Sequence, residues 1–503
     1  MTRQRQPEYQ LELKRQQNAN ASISKLPPEI FVAVFKIIKA ENRLEDFHKV
    51  LQVCHHWRFI AIDAPFLWTD PPAELHHYTL LMLERSKMAL LTVRMPPGTR
   101  MATVKAILEH SGRIRSLSCM LNTRSLDTIQ KLLSTLPRMP LEELRIAPQY
   151  HASKTFKLDS TALCPPDHLR RLILTTIDLD WNLIRVSSLR ELQLNFICLS
   201  TSVTWDQLFG LLCNTPFLES LFMTLESILI NQPSPGARGK PILLQHLQLL
   251  SLQYATENQI QHLLSHMACP HLCDLRIGCN SNEADSNDYD EIIQAISNTL
   301  NAGNFGSGLK SVEICDNGSF SFELFIGDSP GSATSPFIQL QLPYGEDRNA
   351  DMRIFSKVLT SLDILIAPDG TSSVAQLSLG VPFGAEELVE LFGSLPRLRT
   401  IIASEDLVPE IVLSLKIAPN HPTQRAIPFP KLESMTLCIL DAEFEDELWD
   451  TLGDVLTQRC THGAKIQELV LEGVTGVDIP ELVTRFSAMA TNVVVSDLQA
   501  ATP

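Results

Sequence analysis

Asn258-Gln259-Ile260-Gln261-His262-Leu263-Leu264-Ser265-His266-Met267-Ala268-Cys269-Pro270-His271-Leu272-Cys273-Asp274-Leu275-Arg276-Ile277 is the stretch that decides the fold. Ile260, Leu263 and Leu264 recur at i, i+3 and i+4, which places them on one face of a helix. Pro270 cannot continue that helix, because it lacks an amide proton and its ring clashes with the preceding turn. Leu272, Leu275 and Ile277 then follow the spacing of an extended strand. The same order returns around Asp127, Ile129, Leu132 and Leu133 with Pro137, then Leu141, Leu144 and Ile146. It returns again around Asp206, Leu208, Leu211 and Leu212 with Pro216, then Leu218, Leu221 and Met223. A fourth copy runs through Glu386, Leu388, Leu391 and Phe392 to Pro396, Leu398 and Ile401.

The strand portion recurs alone more often, opening at Ile114, Leu169, Leu189, Leu247, Leu309, Phe337, Val374, Leu432 and Ile466. The mean spacing is about 29 residues, a period characteristic of repeat architectures. One strand and one helix cannot bury an apolar face alone, whereas stacked neighbours can. The pattern resembles the leucine-rich repeat. That resemblance implies an α/β fold: an irregular leucine-rich-repeat-like solenoid, a horseshoe with an extended concave face, over residues 113–498. The departures are the turns. The expected Asn or Cys beyond the strand stands only at Asn280 and Asn317, so uneven repeats are expected. An ordinary α/β sheet domain is the competing reading. Loops are expected at 231–240, 280–288, 327–336 and 343–351, where Gly, Pro, Ser, Asn and Asp cluster.

A different pattern occupies the N-terminus. Residues 1–22 read as a disordered polar tail. Residues 23–70 read as a small all-helical module. Pro27 and Pro28 suit a first helical turn, and Glu29 complements its positive end. Ile30, Phe31, Val34, Phe35 and Ile38 recur at helical spacing. A second helix is expected from about Leu44 through Val53, Cys54 and Trp57 to Ala61, stopped by Pro65. So small a unit is short of the size that sustains a core comfortably, so docking is expected to stabilise it. Residues 71–112 read as a linker or lead-in unit to the repeats, with a helix-then-strand pattern from Leu80 to Met95.

Leu26-Pro27-x-Glu29-Ile30, Val34-Phe35, Val53-Cys54-x-x-Trp57-Arg58-x-Ile60-Ala61 and Pro65-x-Leu67-Trp68 together resemble the F-box, of the fungal type. The resemblance implies that Leu26, Pro27 and Ile30, with Val53, Cys54 and Trp57, contact a Skp1-like adaptor in a cullin-based ligase. The competing reading makes Val34, Val53 and Trp57 internal packing, and Trp57 stays open between the two. The resemblance covers under a tenth of the chain, and names an adaptor contact rather than a substrate.

Composition narrows the function classes. The 503 residues carry 44% hydrophobic and 20% charged side chains, ordinary for a folded protein, and exceed the reach of one core. Net charge is −15, and no basic run exists, which argues against nucleic-acid or anionic-membrane partners. The first residues lack an apolar signal segment, and no apolar stretch is long enough to span a bilayer. Eleven cysteines without framework spacing suit reduced thiols, in the cytoplasm or nucleus. On that expectation the sequons at Asn20 and Asn317 are chance matches.

Two tempting chemistries fail at this level. Gly327-Asp328-Ser329-Pro330-Gly331 has the spacing of a nucleophile elbow, but Gly-Ser-Ala-Thr-Ser-Pro follows where a helix is required. His262, His266, Cys269, His271, Cys273 and Cys279 are dense enough for zinc, yet lack Cys-x-x-Cys or His-Glu-x-x-His and lie within a repeat. No catalytic residue, cofactor or metal is expected. The reading is therefore a substrate-recognition adaptor of an SCF-type ubiquitin ligase, binding a Skp1-like subunit and an unknown protein substrate. The alternative is a non-ligase interaction scaffold with an F-box-like capping module.

Overall fold

The computed structural model describes residues 5–41, 44–121, 140–148, 156–157, 168–178, 186–195, 205–225, 241–279, 290–303, 305, 311–316, 321–327, 337–343, 374–381, 383–417, 427–439, 446–474 and 479–496. The chain forms two compact units, Met1–Thr215 with Ile228–Pro233, and Pro216–Ser227 with Ser234–Pro503. The expected helix at 127–133 and most of the expected loops lie outside the described residues.

The first unit begins with helix α1 (Arg5–Asn20), where a disordered tail was expected. Its Gln, Glu, Leu, Lys and Arg content favours helix intrinsically, and its residues from Glu12 onward are exposed. A 3₁₀ turn, Ser22–Lys25, leads into α2 (Pro28–Glu41). The single helix expected beyond Leu44 is two helices, α3 (Leu44–Val53) and α4 (His55–Asp63). The break falls at Cys54, whose backbone is extended (φ −158°, ψ 171°) and whose sulfur accepts the Trp57 N–H at 3.5 Å. Cys54 is therefore a helix cap at a break, where one continuous helix was expected.

Phe31, Phe35, Phe47, Ile60, Leu67 and Trp68 form the centre of this module. The Trp68 indole N–H donates to the Ala61 carbonyl at 2.8 Å, so its one polar atom is satisfied inside the core. The core also takes Met82 and the flank of Tyr78 from α5 (His76–Arg85), and the Arg85 guanidinium lies 4.4 Å over the Trp68 ring. The helical core thus draws on residues assigned from sequence to the lead-in unit. The physical reason is size: three short helices bury too little surface alone.

Strand β1 (Leu91–Met95) follows, then α6 (Met101–Leu108), β2 (Ile114–Leu121) and β3 (Glu143–Pro148). Strands Arg171–Thr175 and Glu191–Asn195 continue the same parallel sheet. Its free edge at β1 is met by the helical module: Thr92 donates to the Thr69 carbonyl and Pro72 bridges to Arg94. Buried Arg113 fastens the junction. Its guanidinium donates to the Leu83 and Ala89 carbonyls and the Ser86 hydroxyl at the end of α5, and burial lowers its pKa.

The second unit holds Ser220–Thr224, Leu249–Ala255, Asp274–Cys279, Phe337–Pro343, Ser321–Gly327, Ser311–Asp316, Gln376–Gly380, Thr400–Ala403, Ser434–Cys438, Glu468–Glu472 and Asn492–Ser496, in that spatial order. The pairing is parallel except at Ser321–Gly327, which runs antiparallel to both neighbours. The chain therefore doubles back between Ser311 and Pro343, which the one-strand-one-helix period does not anticipate. The strand at Asn492–Ser496 also escaped the leucine pattern, because it holds three consecutive valines and no spaced leucines.

In register, Leu221, Leu250, Leu275 and Ile338 form one buried column, and Leu377, Ile401, Met435 and Leu469 form another, all facing the helices. The quoted stretch behaves as its spacing predicts. Glu257–His266 is helical, with Thr256 and Gln259 forming a reciprocal cap, and Ile260, Leu263 and Leu264 are buried. Arg459, fully buried in the helix Asp446–Thr461, donates to the carbonyls of Pro428 (2.7 Å) and Phe429 (2.9 Å). It thereby holds Phe429 in a left-handed turn (φ 52°), while burial lowers the Arg459 pKa to about 10.

Leu275→Ala removes one rung of a fully buried column. It is expected to destabilise by about 2–5 kcal/mol in urea denaturation. Gln339→Ala, on the opposite face of the neighbouring strand, is expected to stay within about 0.5 kcal/mol.

Candidate functional site

Helix α2 carries two apolar faces instead of one. Phe31 and Phe35 point inward and are buried, whereas Leu26, Ile30, Val34 and Ile37 are exposed by 42%, 47%, 41% and 56%. The outward set advances by four, four and three residues, so it lies on one side of the helix and its lead-in turn. The position of Leu26 is set by the 3₁₀ turn, whose end it closes by donating to the Ile23 carbonyl. Pro27 is exposed, and its carbonyl accepts the Ile30 N–H at 3.0 Å, ahead of the first turn at Pro28.

Val53 ends α3 and is 56% exposed. Packing therefore accounts for neither Val34 nor Val53, contrary to the internal reading of both. Trp57 is different. Its ring lies 5.6 Å from Phe31 and 5.3 Å from Phe35, half-buried against the core, so much of it packs α4 onto α2. Cys54 lines a cavity of about 260 Å³ together with Arg15, Asn18, Ala19, Ser24, His55 and His56.

Sequence reasoning missed a second outward set. Phe59, Ile62 and Phe66 are exposed by 63%, 37% and 65%. Lys36 places its ammonium 5.4 Å over the Phe66 ring. The i, i+3 spacing of Phe59 and Ile62, offset from buried Ile60 and Ala61, is the signal that could have found them. With Ile23, nine of the 23 large apolar side chains exposed among the described residues fall in this one small module. Lone exposed apolar residues are ordinary, but their concentration marks an interaction surface.

The His/Cys cluster behaves otherwise. The His262 and His266 rings lie 4.3 Å apart, and the His266 ring nitrogen Nδ1 contacts the His262 carbonyl at 2.8 Å. Cys269 is buried and Cys273 donates its thiol to the Gln248 carbonyl. Among the described residues no three His, Cys, Asp or Glu side chains gather to hold a metal ion. Ser329 and Asn317 lie outside the described residues.

Comparison with known proteins bears on the helical module. Residues 23–71 match the family model described as F-box-like. Those residues form an F-box-like domain. No curated protein matches the chain. Among solved structures, the crystal structure of the Rad7 and Elc1 complex in yeast aligns at 12% identity, covering 98% of this chain and 95% of that chain, with a TM-score of 0.26.

Two outcomes follow from the geometry of the thiols. Cys54→Ser, which keeps a capping acceptor, is expected to preserve stability on thermal melting, whereas Cys54→Ala loses roughly 0.5–1 kcal/mol. Burial pushes the Cys119 and Cys269 thiols up to about 12, so both stay protonated at pH 8. Iodoacetamide at that pH is expected to label exposed Cys213 in the native protein and to reach Cys119 and Cys269 only after denaturation, as read by peptide mass mapping.

Proposed function

We propose that this protein is a substrate-recognition adaptor of an SCF-type ubiquitin ligase. Its F-box-like domain binds a Skp1-like subunit, which links it to a cullin-based ligase. The strand-and-helix units act as a leucine-rich-repeat-like array that binds a protein substrate. The observation that carries the reading is the outward apolar set Leu26, Ile30, Val34 and Ile37 on α2 and its lead-in turn, together with Val53, none of which enters the core that the domain builds with Met82 and Tyr78 of α5. A face of that kind costs solubility unless a partner covers it. The proposed role needs no active site, and suits a reducing compartment, the cytoplasm or nucleus, where free thiols persist.

One observation favours the scaffold alternative. Residues Thr69 and Pro72 bond to the open edge of β1, so the domain also closes that edge of the sheet. A cap of this kind protects a sheet edge from association. It does not call for an outward apolar face on the far helices, and so explains less of the surface.

Co-precipitation of the full chain with a Skp1-like subunit tests the choice. The wild type is expected to recover it, and Leu26→Ala/Pro27→Ala to lose it. Val34→Asp is expected to weaken recovery at least about tenfold, the scale of burying an unpaired charge in an interface. Because Val34 is exposed, its melting temperature should not fall. Failure of the wild type to recover the subunit leaves the scaffold reading. Trp57→Ala is expected to lower both recovery and melting temperature, since the ring packs on Phe31 and Phe35.

A further inference from the structure

We infer that this protein pairs with a second copy of itself through the free edge of the sheet in the second unit, strand Asn492–Ser496 lying antiparallel to the same strand of the other copy. Among the described residues this strand bonds on one side only, in parallel with Glu468–Glu472 and without a bulge along its length. An open edge is a template for another strand, and edges that stay alone are guarded by lysine, proline or a bulge. Asn-Val-Val-Val-Ser carries none of these. In the first unit, by contrast, the edge at β1 is already met by Thr69 and Pro72.

The backbone fixes which groups that edge offers. The Asn492 N–H donates to the Gln467 carbonyl at 2.8 Å, and the Ser496 carbonyl accepts the Gly473 N–H at 2.8 Å. Alternate residues of a strand turn their N–H and C=O to the same neighbour. Asn492, Val494 and Ser496 therefore direct theirs inward, and Val493 and Val495 turn theirs to the free edge. Antiparallel pairing about Val494 lets Val493 of each copy exchange both bonds with Val495 of the other. It leaves Val494 opposite Val494 at the two-fold axis, a non-hydrogen-bonded pair whose Cα atoms come to about 4.5 Å.

The side chains agree with the backbone. Val493 and Val495 continue the columns of Leu469 and Leu471, which are fully buried, yet both valines are only half-buried because the next rung is missing. On the opposite face Val494 is 39% exposed beside Val470. A second copy supplies the missing rungs from its own Val495 and Val493, and its Val494 covers this one. Self-pairing opposes valine to valine and Asn492 to Ser496, so no like charges meet. That neutral match selects a second copy over a charged foreign strand. The two-fold axis stands perpendicular to the sheet, so the pairing closes as a dimer and joins the two open faces into one. The inference stands apart from the adaptor reading, because α2 takes no part in it.

Sedimentation velocity of the full chain across a concentration series tests it. The wild type is expected to pass from monomer to dimer, more readily at higher salt, because each copy carries a net charge of −15 that salt screens. Val494→Lys opposes two ammonium groups at the axis. It is expected to raise the dimer dissociation constant at least about tenfold, with an unchanged melting temperature. Val34→Asp, on α2, is expected to dimerise as the wild type does. Mild oxidation of Val494→Cys is expected to yield a disulfide-linked dimer, since about 4.5 Å lies within the reach of a disulfide. Val470→Cys and Asn492→Cys, which the same pairing holds roughly 14 Å from their counterparts, are expected to link no more than the wild type. A wild type that stays monomeric at every concentration, growth into open-ended assemblies, or a dimer that Val494→Lys leaves intact overturns the proposal. So does loss of the dimer in Val34→Asp, or linkage at position 492 in place of 494.

Discussion

The structure depends on one constraint: aliphatic side chains at alternate strand positions must stack in register from one strand to the next. Leu117, Leu144, Leu172 and Leu192 do so in the first unit, and Leu221, Leu250, Leu275 and Ile338 in the second. A slip of one residue would turn each of these side chains to solvent and bring Arg145 or Arg276 inward. Because each strand touches only its neighbours, the cost of a fault stays local, and irregular spacing between strands is tolerated. The antiparallel strand Ser321–Gly327 fits for the same reason. Ile326 still enters the column beside Ile338, and Leu324 the next one beside Leu340, although the chain runs the other way.

The same alternation frees the opposite face. Positions between the buried leucines carry Ser, Arg, Gln and Glu, whose choice the core does not restrict. On the first unit this yields a row in which Glu143, Arg171 and Glu191 pair, beside a row that carries Arg94 and Arg145. The N-terminal domain solves a different problem. Its helices are too few to hide every apolar side chain they carry, so α2 buries Phe31 and Phe35 and leaves Ile30 and Val34 outside. Borrowed Met82 and the Arg85 guanidinium complete the core. The outward face is then surplus to folding and available to a partner.

Much of this was legible in the residues. Pro270 between Leu264 and Leu272 announced helix, stop and strand, and the fixed order from Leu26 to Trp68 announced the F-box-like domain. Other features were not legible, for identifiable reasons. The cut at Cys54 depends on a backbone turn that periodicity ignores, since Val50, Cys54 and Trp57 keep helical spacing across it. The helix at Arg5–Asn20 has propensity without an apolar stripe, and a pattern search sees only the missing stripe. Arg113 and Arg459 are charged residues in buried places, justified by carbonyls about 30 positions away in the chain and, for Arg113, also by the Ser86 hydroxyl.

By itself, the sequence determined the alternation of strand and helix, the small helical domain ahead of it, and the residue types on each face. These follow from local periodicity, which neighbouring residues set among themselves. The tertiary structure alone decided which of α2's apolar residues are core, that α5 belongs to the helical core, and that Arg94 and Arg145 share a row across Ser118. Those depend on register and on contacts between distant segments, where burial, not spacing along the chain, assigns each side chain its side.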